Sequence, residues 1–177
     1  MSYGVKIYEN ILESGLMKLG EWNILRIDRI KDVGAYLTDG KEPGMDVLLP
    51  ARQIPEECEI GDNLNVFLYR DSEDRLIATT HTPLITLGEI RRLKVKSVGD
   101  IGAFLDWGLS RDLFLPFKEQ TVKVQQEHSY LVRLYVDKTG RLAASMKIAN
   151  DLEPCKAFKK GEQVRGVVYN VKKDFGV

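Results

Sequence analysis

The sequence lacks the features of a secreted or membrane-spanning chain. Its 177 residues include only two cysteines, Cys58 and Cys155, which lie far apart and show no metal-ligand spacing. No apolar run is long enough to cross a bilayer. Residues 1–18 lack the basic, apolar and small-residue segments of a signal peptide. These absences predict a protein of the cytoplasm with no membrane partner.

Signals of catalysis and of cofactor binding are also scarce. His81 and His128 each stand alone, with no cysteine or second histidine at the spacing of a metal site. The chain contains neither of the glycine-rich phosphate-binding patterns and no Gly-x-Ser-x-Gly nucleophile turn. We therefore expect a protein that is not an enzyme and that uses no cofactor and no metal.

The sequence does contain an internal repeat. Residues 32–37 (DVGAYL) return as residues 100–105 (DIGAFL), and residues 46–50 (DVLLP) return as residues 112–116 (DLFLP). The order is kept, and the only change in length is a two-residue shortening at a predicted turn. A spacing that slips only in a loop indicates one folding unit that has been duplicated.

The repeat divides the chain into four parts. Residues 1–18 are predicted to be a leader, either a short helix or disordered. A first unit covers residues 19–83 and a second unit covers residues 84–150. Residues 151–177 are predicted to be a linker followed by the truncated first strands of a third unit, because KDFGV at 173–177 resembles KDVGA at 31–35.

Charge is distributed unevenly between the two units, although the whole chain has a net charge of zero. The first unit has 7 Lys and Arg against 13 Asp and Glu, whereas the second has 11 against 7. A polyanion should therefore prefer the second unit.

Apolar and polar residues alternate with period two inside each unit, which is typical of half-buried strands. We predict strands at about 20–31, 33–39, 45–49, 62–71 and 74–80, equivalents in the second unit, and a helical turn after Pro50 and Pro116. The alternation places Val33 and Ile101 on the apolar face, and Tyr36 and Phe104 on the opposite face. The first unit has no glycine where the second has Gly140, which predicts a looser hairpin.

Five short strands with one helical turn before the fourth favour a small closed barrel of the OB type. The long helical pattern of parallel βαβ units is missing. The predicted fold class is therefore all-β, with two five-stranded barrels in tandem and the truncated start of a third.

These motifs resemble the S1 motif, an OB-fold RNA-binding domain. The first unit carries KDVGAY at 31–36, VLL at 47–49 and the pair Asp71 and Arg75; the second carries GDIGAF at 99–104, LFL at 113–115 and the pair Asp137 and Arg141. The tandem order is also similar to the conserved virulence factor B family of bacterial RNA-binding proteins. That resemblance implies an N-terminal part of such a protein, with a winged-helix domain beyond it.

The resemblance implies that exposed rings stack on bases while cations contact phosphates. Two departures from the S1 pattern imply fewer stacking planes: Val33 and Ile101 replace an aromatic residue, and Pro50 and Pro116 replace a histidine. The alternatives are that the rings pack under a loop and that the hairpin arginines form exposed ion pairs. The predicted RNA-binding residues are Tyr36, Arg75, Lys94, Lys96, Phe104, Trp107, Arg111, Asp137 and Arg141.

The predicted function is binding of single-stranded RNA, mainly by the second unit, in post-transcriptional or translational regulation. The ribosome and RNA-processing proteins are further candidate partners. The alternative is a non-catalytic protein-interaction scaffold with little direct RNA contact, which is suggested by the acidic first unit and the missing aromatics.

Overall fold

The computed structural model describes residues 17–41, 44–152 and 157–167. Most of the predicted leader lies outside these residues, as do residues 153–156 and 168–177 of the predicted linker and start of a third unit. The described residues form β-strands joined by turns and three short 3₁₀ turns. The predicted all-β class with tandem five-stranded barrels is confirmed.

The first unit is a closed five-stranded barrel with the strand order β1-β2-β3-β5-β4. Four of its neighbouring pairs are antiparallel, and the barrel closes through a parallel contact in which Leu48 faces Ile77. Its strands are β1 (Trp22–Lys31), β2 (Gly34–Thr38), β3 (Val47–Pro50), β4 (Asn63–Arg70) and β5 (Leu76–Thr79).

The second unit repeats this arrangement as a rolled sheet with the order β10-β9-β6-β7-β8, and its two edge strands lie next to each other. Its strands are β6 (Ile90–Val98), β7 (Gly102–Asp106), β8 (Leu113–Pro116), β9 (Ser129–Val136) and β10 (Leu142–Ser145). The helical turns predicted after Pro50 and Pro116 are confirmed as the 3₁₀ turns Ala51–Gln53 and Phe117–Glu119.

The alternation predicted for β2 and β7 begins one residue later than expected. Ala35 and Leu37 are buried, but Val33 is 59% exposed and Ile101 is 67% exposed. The prediction that these two residues face the core is wrong, because a turn precedes each strand and the strands begin at the following glycines.

Those glycines allow β2 and β7 to approach the next strand closely. A Cβ on Gly34 would lie 2.0 Å from the backbone oxygen of Leu49, and one on Gly102 would lie 2.4 Å from that of Leu115. Gly34 also has a φ of +150°, which side-chain-bearing residues rarely adopt.

The two hairpins between the last strands of each unit have the same geometry. The amide of Asp71 donates to the carbonyl of Arg75 at 3.0 Å, and that of Asp137 donates to the carbonyl of Arg141 at 2.8 Å. Asp74 takes a φ of +66° where Gly140 has +77°. The prediction of a looser first hairpin is wrong, because aspartate tolerates this left-handed conformation better than most residues do.

The two units pack against each other through aromatic side chains. The ring of Trp107, on the loop after β7, lies 6.1 Å from the ring of Phe67 and 6.2 Å from that of Tyr69, both edge to face. Phe67 and Tyr69 belong to β4, yet they share one buried cluster with the core of the second unit. The units are thus joined by a continuous apolar contact.

Candidate nucleic-acid interface

An aromatic pair lies on the outer surface of the second unit. Phe104 on β7 and Phe114 on β8 are directly opposite each other in the strand register, with ring centroids 5.5 Å apart. Their neighbours Ala103, Leu105 and Leu115 fill the core, so the alternation of the strands turns both rings outward. Each ring is half-buried, which leaves part of it available to a ligand.

Phe114 was not among the predicted RNA-binding residues. Its signal was present in the sequence, because Leu113 and Leu115 on either side belong to the apolar face of a strand. The residue between two core leucines must point outward. It then lies beside Phe104 because β7 and β8 pair in this register.

A shallow depression of about 410 Å³ continues this surface. Its lining is mostly apolar and includes the ring of Phe117, which is 49% exposed. Lys118 supplies a positive charge at the rim, and within the described residues it forms no ion pair. The lining residues are Ile101, Phe114, Pro116, Phe117, Lys118, Tyr135 and Asp137.

Tyr135 supplies a polar group to the depression. Its burial raises the pKa of the phenol above the ordinary value, and the nearby carboxylates of Glu119 and Asp137 act in the same direction. The phenol therefore stays neutral at physiological pH and can donate a hydrogen bond. The guanidinium of Arg133 lies 6.0 Å from its ring centroid.

The equivalent ring of the first unit is covered. The guanidinium of Arg29 lies 4.1 Å from the ring centroid of Tyr36, and Lys31 Nζ lies at 5.6 Å. Asp46 holds Arg29 at 2.5 Å and raises its pKa through this hydrogen bond. Leu48 occupies the position that Phe114 has in the second unit, so the first unit has no ring pair there.

The predicted lysines of β6 are exposed, but carboxylates already pair with them. Lys94 Nζ lies 2.5 Å from Glu127, and Lys96 Nζ lies 2.6 Å from Asp112. The hydrogen bond to Asp112 raises the pKa of Lys96. A phosphate would have to compete with these carboxylates for either lysine.

The hairpin arginines also have carboxylate partners. Arg75 bonds to Asp71 at 2.7 Å and to Glu73 at 2.9 Å within its own hairpin. Arg141 reaches across to the first unit, where its guanidinium donates to both oxygens of Asp74 at 3.0 and 3.1 Å. The structure therefore places Arg141 at the contact between the units.

Asp137 organises the turn of its hairpin. Its Oδ1 accepts hydrogen bonds from the amides of Thr139 and Arg141 and from the Thr139 hydroxyl. Burial alone would raise the pKa of Asp137, but these hydrogen bonds outweigh burial and lower it. The carboxylate is thus ionised and held in place at the rim of the depression.

Two of the predicted RNA-binding residues, Trp107 and Arg111, contact the first unit. Trp107 is only 3% exposed, because the loop after β7 folds onto the first unit. Its indole N–H donates to the carbonyl oxygen of Arg111, and the Arg111 guanidinium donates to the carbonyl oxygen of Asp71. Both residues belong to the contact between the units.

None of the segments that the structure describes forms a helix with the length and apolar character of a membrane span. Within the same segments, no group of three or more histidines, cysteines and carboxylates could hold a metal ion.

Two paired barrels with an outward ring pair place this chain in the class of small β-barrel binding modules. The family model of the S1 domain matches residues 19–81 and 87–147. The chain belongs to the S1 domain family. The predicted resemblance to conserved virulence factor B is confirmed: the protein of that name from Staphylococcus aureus is 29% identical over 107 residues, which is 56% of this chain and 36% of that protein.

Two further similarities extend the comparison. The uncharacterized protein YitL of Bacillus subtilis is 33% identical over 72% of this chain and 44% of its own length. The chain thus spans less than half of the curated relatives it matches. A solved structure from Streptococcus pneumoniae, described as a multidomain protein with nucleic acid binding domains, shares the fold with a TM-score of 0.60. It is 22% identical and covers 71% of this chain and 45% of its own chain.

Proposed function

We propose that the chain binds single-stranded RNA through the outer face of the second unit. The observation that carries this proposal is the outward-facing, half-buried ring pair of Phe104 and Phe114 beside the depression. Membership of the S1 family supports a nucleic-acid-binding role, as does the fold shared with a protein described as having nucleic acid binding domains.

The ring pair offers planes on which unpaired bases can stack. The bases of a duplex are already stacked on each other and cannot reach these rings. Lys118 at the rim is placed to contact a phosphate, and Tyr135 and Asp137 offer a donor and an acceptor to a base edge. The excess of positive charge on the second unit supports this unit as the one that binds RNA. Lys94, Lys96 and Arg141 would contribute only by leaving their carboxylate partners.

Binding of a fluorescently labelled single-stranded RNA of about 12 nucleotides tests this proposal. We expect the affinity to fall as salt rises from about 50 to 200 mM, and duplex RNA to bind more weakly. The double variant Phe104→Ala, Phe114→Ala should lose about tenfold to hundredfold in affinity, as expected for lost base stacking. Tyr36→Ala serves as the matched control in the first unit and should lose less.

Equal affinity of the wild type and the double variant would reject the ring pair as the RNA site. Affinity that is independent of salt would reject the phosphate contacts. We further propose that RNA binding serves post-transcriptional or translational regulation, with the ribosome or RNA-processing proteins as partners.

A second candidate function is a protein-interaction scaffold. It is favoured by the acidic first unit and by the carboxylates that pair with Lys94, Lys96, Arg75 and Arg141. Affinity capture with and without ribonuclease separates the two functions. Partners that remain after ribonuclease digestion support the scaffold, and partners that are lost support RNA binding.

A further inference from the structure

The loop between β7 and β8 rests on the first unit. This loop covers residues 107–112 and closes the hairpin that carries Phe104 and Phe114. Its first residue, Trp107, packs edge to face against Phe67 and Tyr69 of β4. The loop therefore takes much of its packing from the neighbouring unit.

Polar contacts fix the other half of the loop to the same unit. The Tyr69 hydroxyl lies 3.1 Å from the Ser110 hydroxyl, and the Arg111 guanidinium donates to the carbonyl oxygen of Asp71. Tyr69 is 5% exposed, whereas its partner Ser110 lies on the exposed side of the loop. Trp107, Ser110 and Arg111 thus anchor the loop to the first unit.

We propose that the first unit positions the RNA-binding ring pair of the second unit by holding this loop, with Tyr69 and Arg111 as positioning residues. The proposal rests on the proposed RNA binding at Phe104 and Phe114. Loss of the contact would loosen the β7–β8 hairpin, and the two rings would no longer be held opposite each other. RNA affinity would then depend on residues that touch no RNA.

The double variant Tyr69→Phe, Arg111→Ala tests this proposal in the full chain. It removes the hydroxyl bond and the guanidinium bond but keeps the packing of the Tyr69 ring. We expect the affinity for the labelled single-stranded RNA to fall about threefold to tenfold, the size associated with one or two lost hydrogen bonds. The slope of log affinity against log salt should stay as in the wild type, because no phosphate contact is removed.

The matched control is Arg52→Ala, Tyr130→Phe, which makes the same two chemical changes away from the loop. Arg52 is exposed in the first unit, and the Tyr130 hydroxyl accepts a bond from the Gln125 amide inside the second unit. The control should keep the wild-type affinity. If both double variants lose the same affinity, the loss is not due to the contact between the units.

Two outcomes of the RNA measurement would overturn the proposal. Unchanged affinity in the Tyr69→Phe, Arg111→Ala variant means that the loop does not position the rings. A salt slope that decreases by about 0.7 means that Arg111 contacts a phosphate directly.

Hydrogen exchange without RNA separates this proposal from the proposed function. We expect faster exchange at residues 103–106 and 113–115 in the test variant, while β1 of the first unit keeps its protection. If the wild type binds no RNA but this difference is present, the proposed function is rejected, while the support of the loop by the first unit is confirmed. If the exchange is unchanged, the link itself is rejected.

Discussion

The two units share one fold and differ in what covers the outer ring of their second strand. Tyr36 and Phe104 occupy the same position, but the residue paired with Tyr36 is Arg29, whereas the residue paired with Phe104 is Ser97. A guanidinium therefore stacks on the first ring, whereas the second ring has no cation opposite it and lies beside Phe114. We infer that this cross-strand neighbour decides whether the ring at the repeated position can accept a ligand.

The units also differ in what their hairpins contact. The hairpin of the first unit satisfies its arginine internally, with Asp71 and Glu73 around Arg75. The hairpin of the second unit directs Arg141 to Asp74 of the first. We infer a division of roles in which the first unit supports and the second unit binds.

The largest expected effects concern the glycines that begin β2 and β7. Gly34→Ala should destabilise the chain by about 3–5 kcal/mol, because it adds a backbone clash at a left-handed φ. Gly102→Ala adds only the clash and should cost about 2–4 kcal/mol. Chemical denaturation of both variants checks the order, and a larger loss for Gly102→Ala would contradict this account.

The next largest effect comes from exchanging the ring covers. Ser97→Arg places a guanidinium opposite Phe104, with Asp112 in the position that Asp46 has beside Arg29. The variant should bind single-stranded RNA about tenfold more weakly at about 200 mM salt, where the added charge is screened and the lost stacking dominates.

The reciprocal variant Arg29→Ser uncovers Tyr36 but also removes one positive charge. The uncovered ring should offset part of the RNA affinity that the lost charge would otherwise cost. Fluorescence anisotropy at the same salt concentration measures both variants. If Ser97→Arg binds as tightly as the wild type, covering of the ring does not explain the difference between the units.

Much of the fold could be predicted from the sequence, because the duplicated motifs and the period-two alternation depend on local residue order. The approximate positions of the strands and the 3₁₀ turns after Pro50 and Pro116 follow from that order. The alternation predicts the wrong face for Val33 and Ile101. Each strand begins after a turn, and the alternation of apolar residues does not show where that turn ends.

The candidate binding face was less predictable because it depends on contacts between distant residues. Phe104 and Phe114 become neighbours through strand register, and Arg29 covers Tyr36 while ion pairs with Asp46 and Asp28 hold its guanidinium. Trp107 resembled an exposed loop aromatic, and nothing in its local sequence shows that the first unit covers it. Contacts between the units join residues that are far apart in the sequence, so no single motif reveals them.

A smaller effect is expected from acid. Burial would raise the pKa of Asp71 and of Asp137, but hydrogen bonds to each carboxylate lower both values. Because each folded-state pKa lies below the unfolded value of about 3.9, their stabilisation is present above that pH and is lost as the pH falls through the folded values. Asp137→Asn and Asp71→Asn should each reduce the loss of stability between about pH 7 and pH 3.

Denaturant unfolding at the two pH values, with the wild type as control, measures this effect. The Asp71→Asn variant should also respond less to salt than the wild type, because Asp71 pairs with the charged Arg75 side chain. An acid response equal to that of the wild type in both variants would show that these carboxylates do not stabilise the hairpins.

The smallest effect is expected at the ion pair between the units. Arg141 and Asp74 are both partly exposed, so Asp74→Asn should cost less than about 1 kcal/mol. Asp74→Gly loses the same ion pair but relieves a left-handed backbone, and should be at least as stable as Asp74→Asn. Thermal unfolding compares them, and a Gly variant that is clearly less stable than the Asn variant would contradict this explanation.

Ultraviolet cross-linking of the full chain to a single-stranded RNA that contains photoreactive uridines, followed by mass spectrometry, tests the division of roles most directly. The account predicts cross-links at Phe104, Phe114 and Tyr135 and few at Tyr36. Cross-links that are as frequent at Tyr36, or that occur mainly in the first unit, would contradict it.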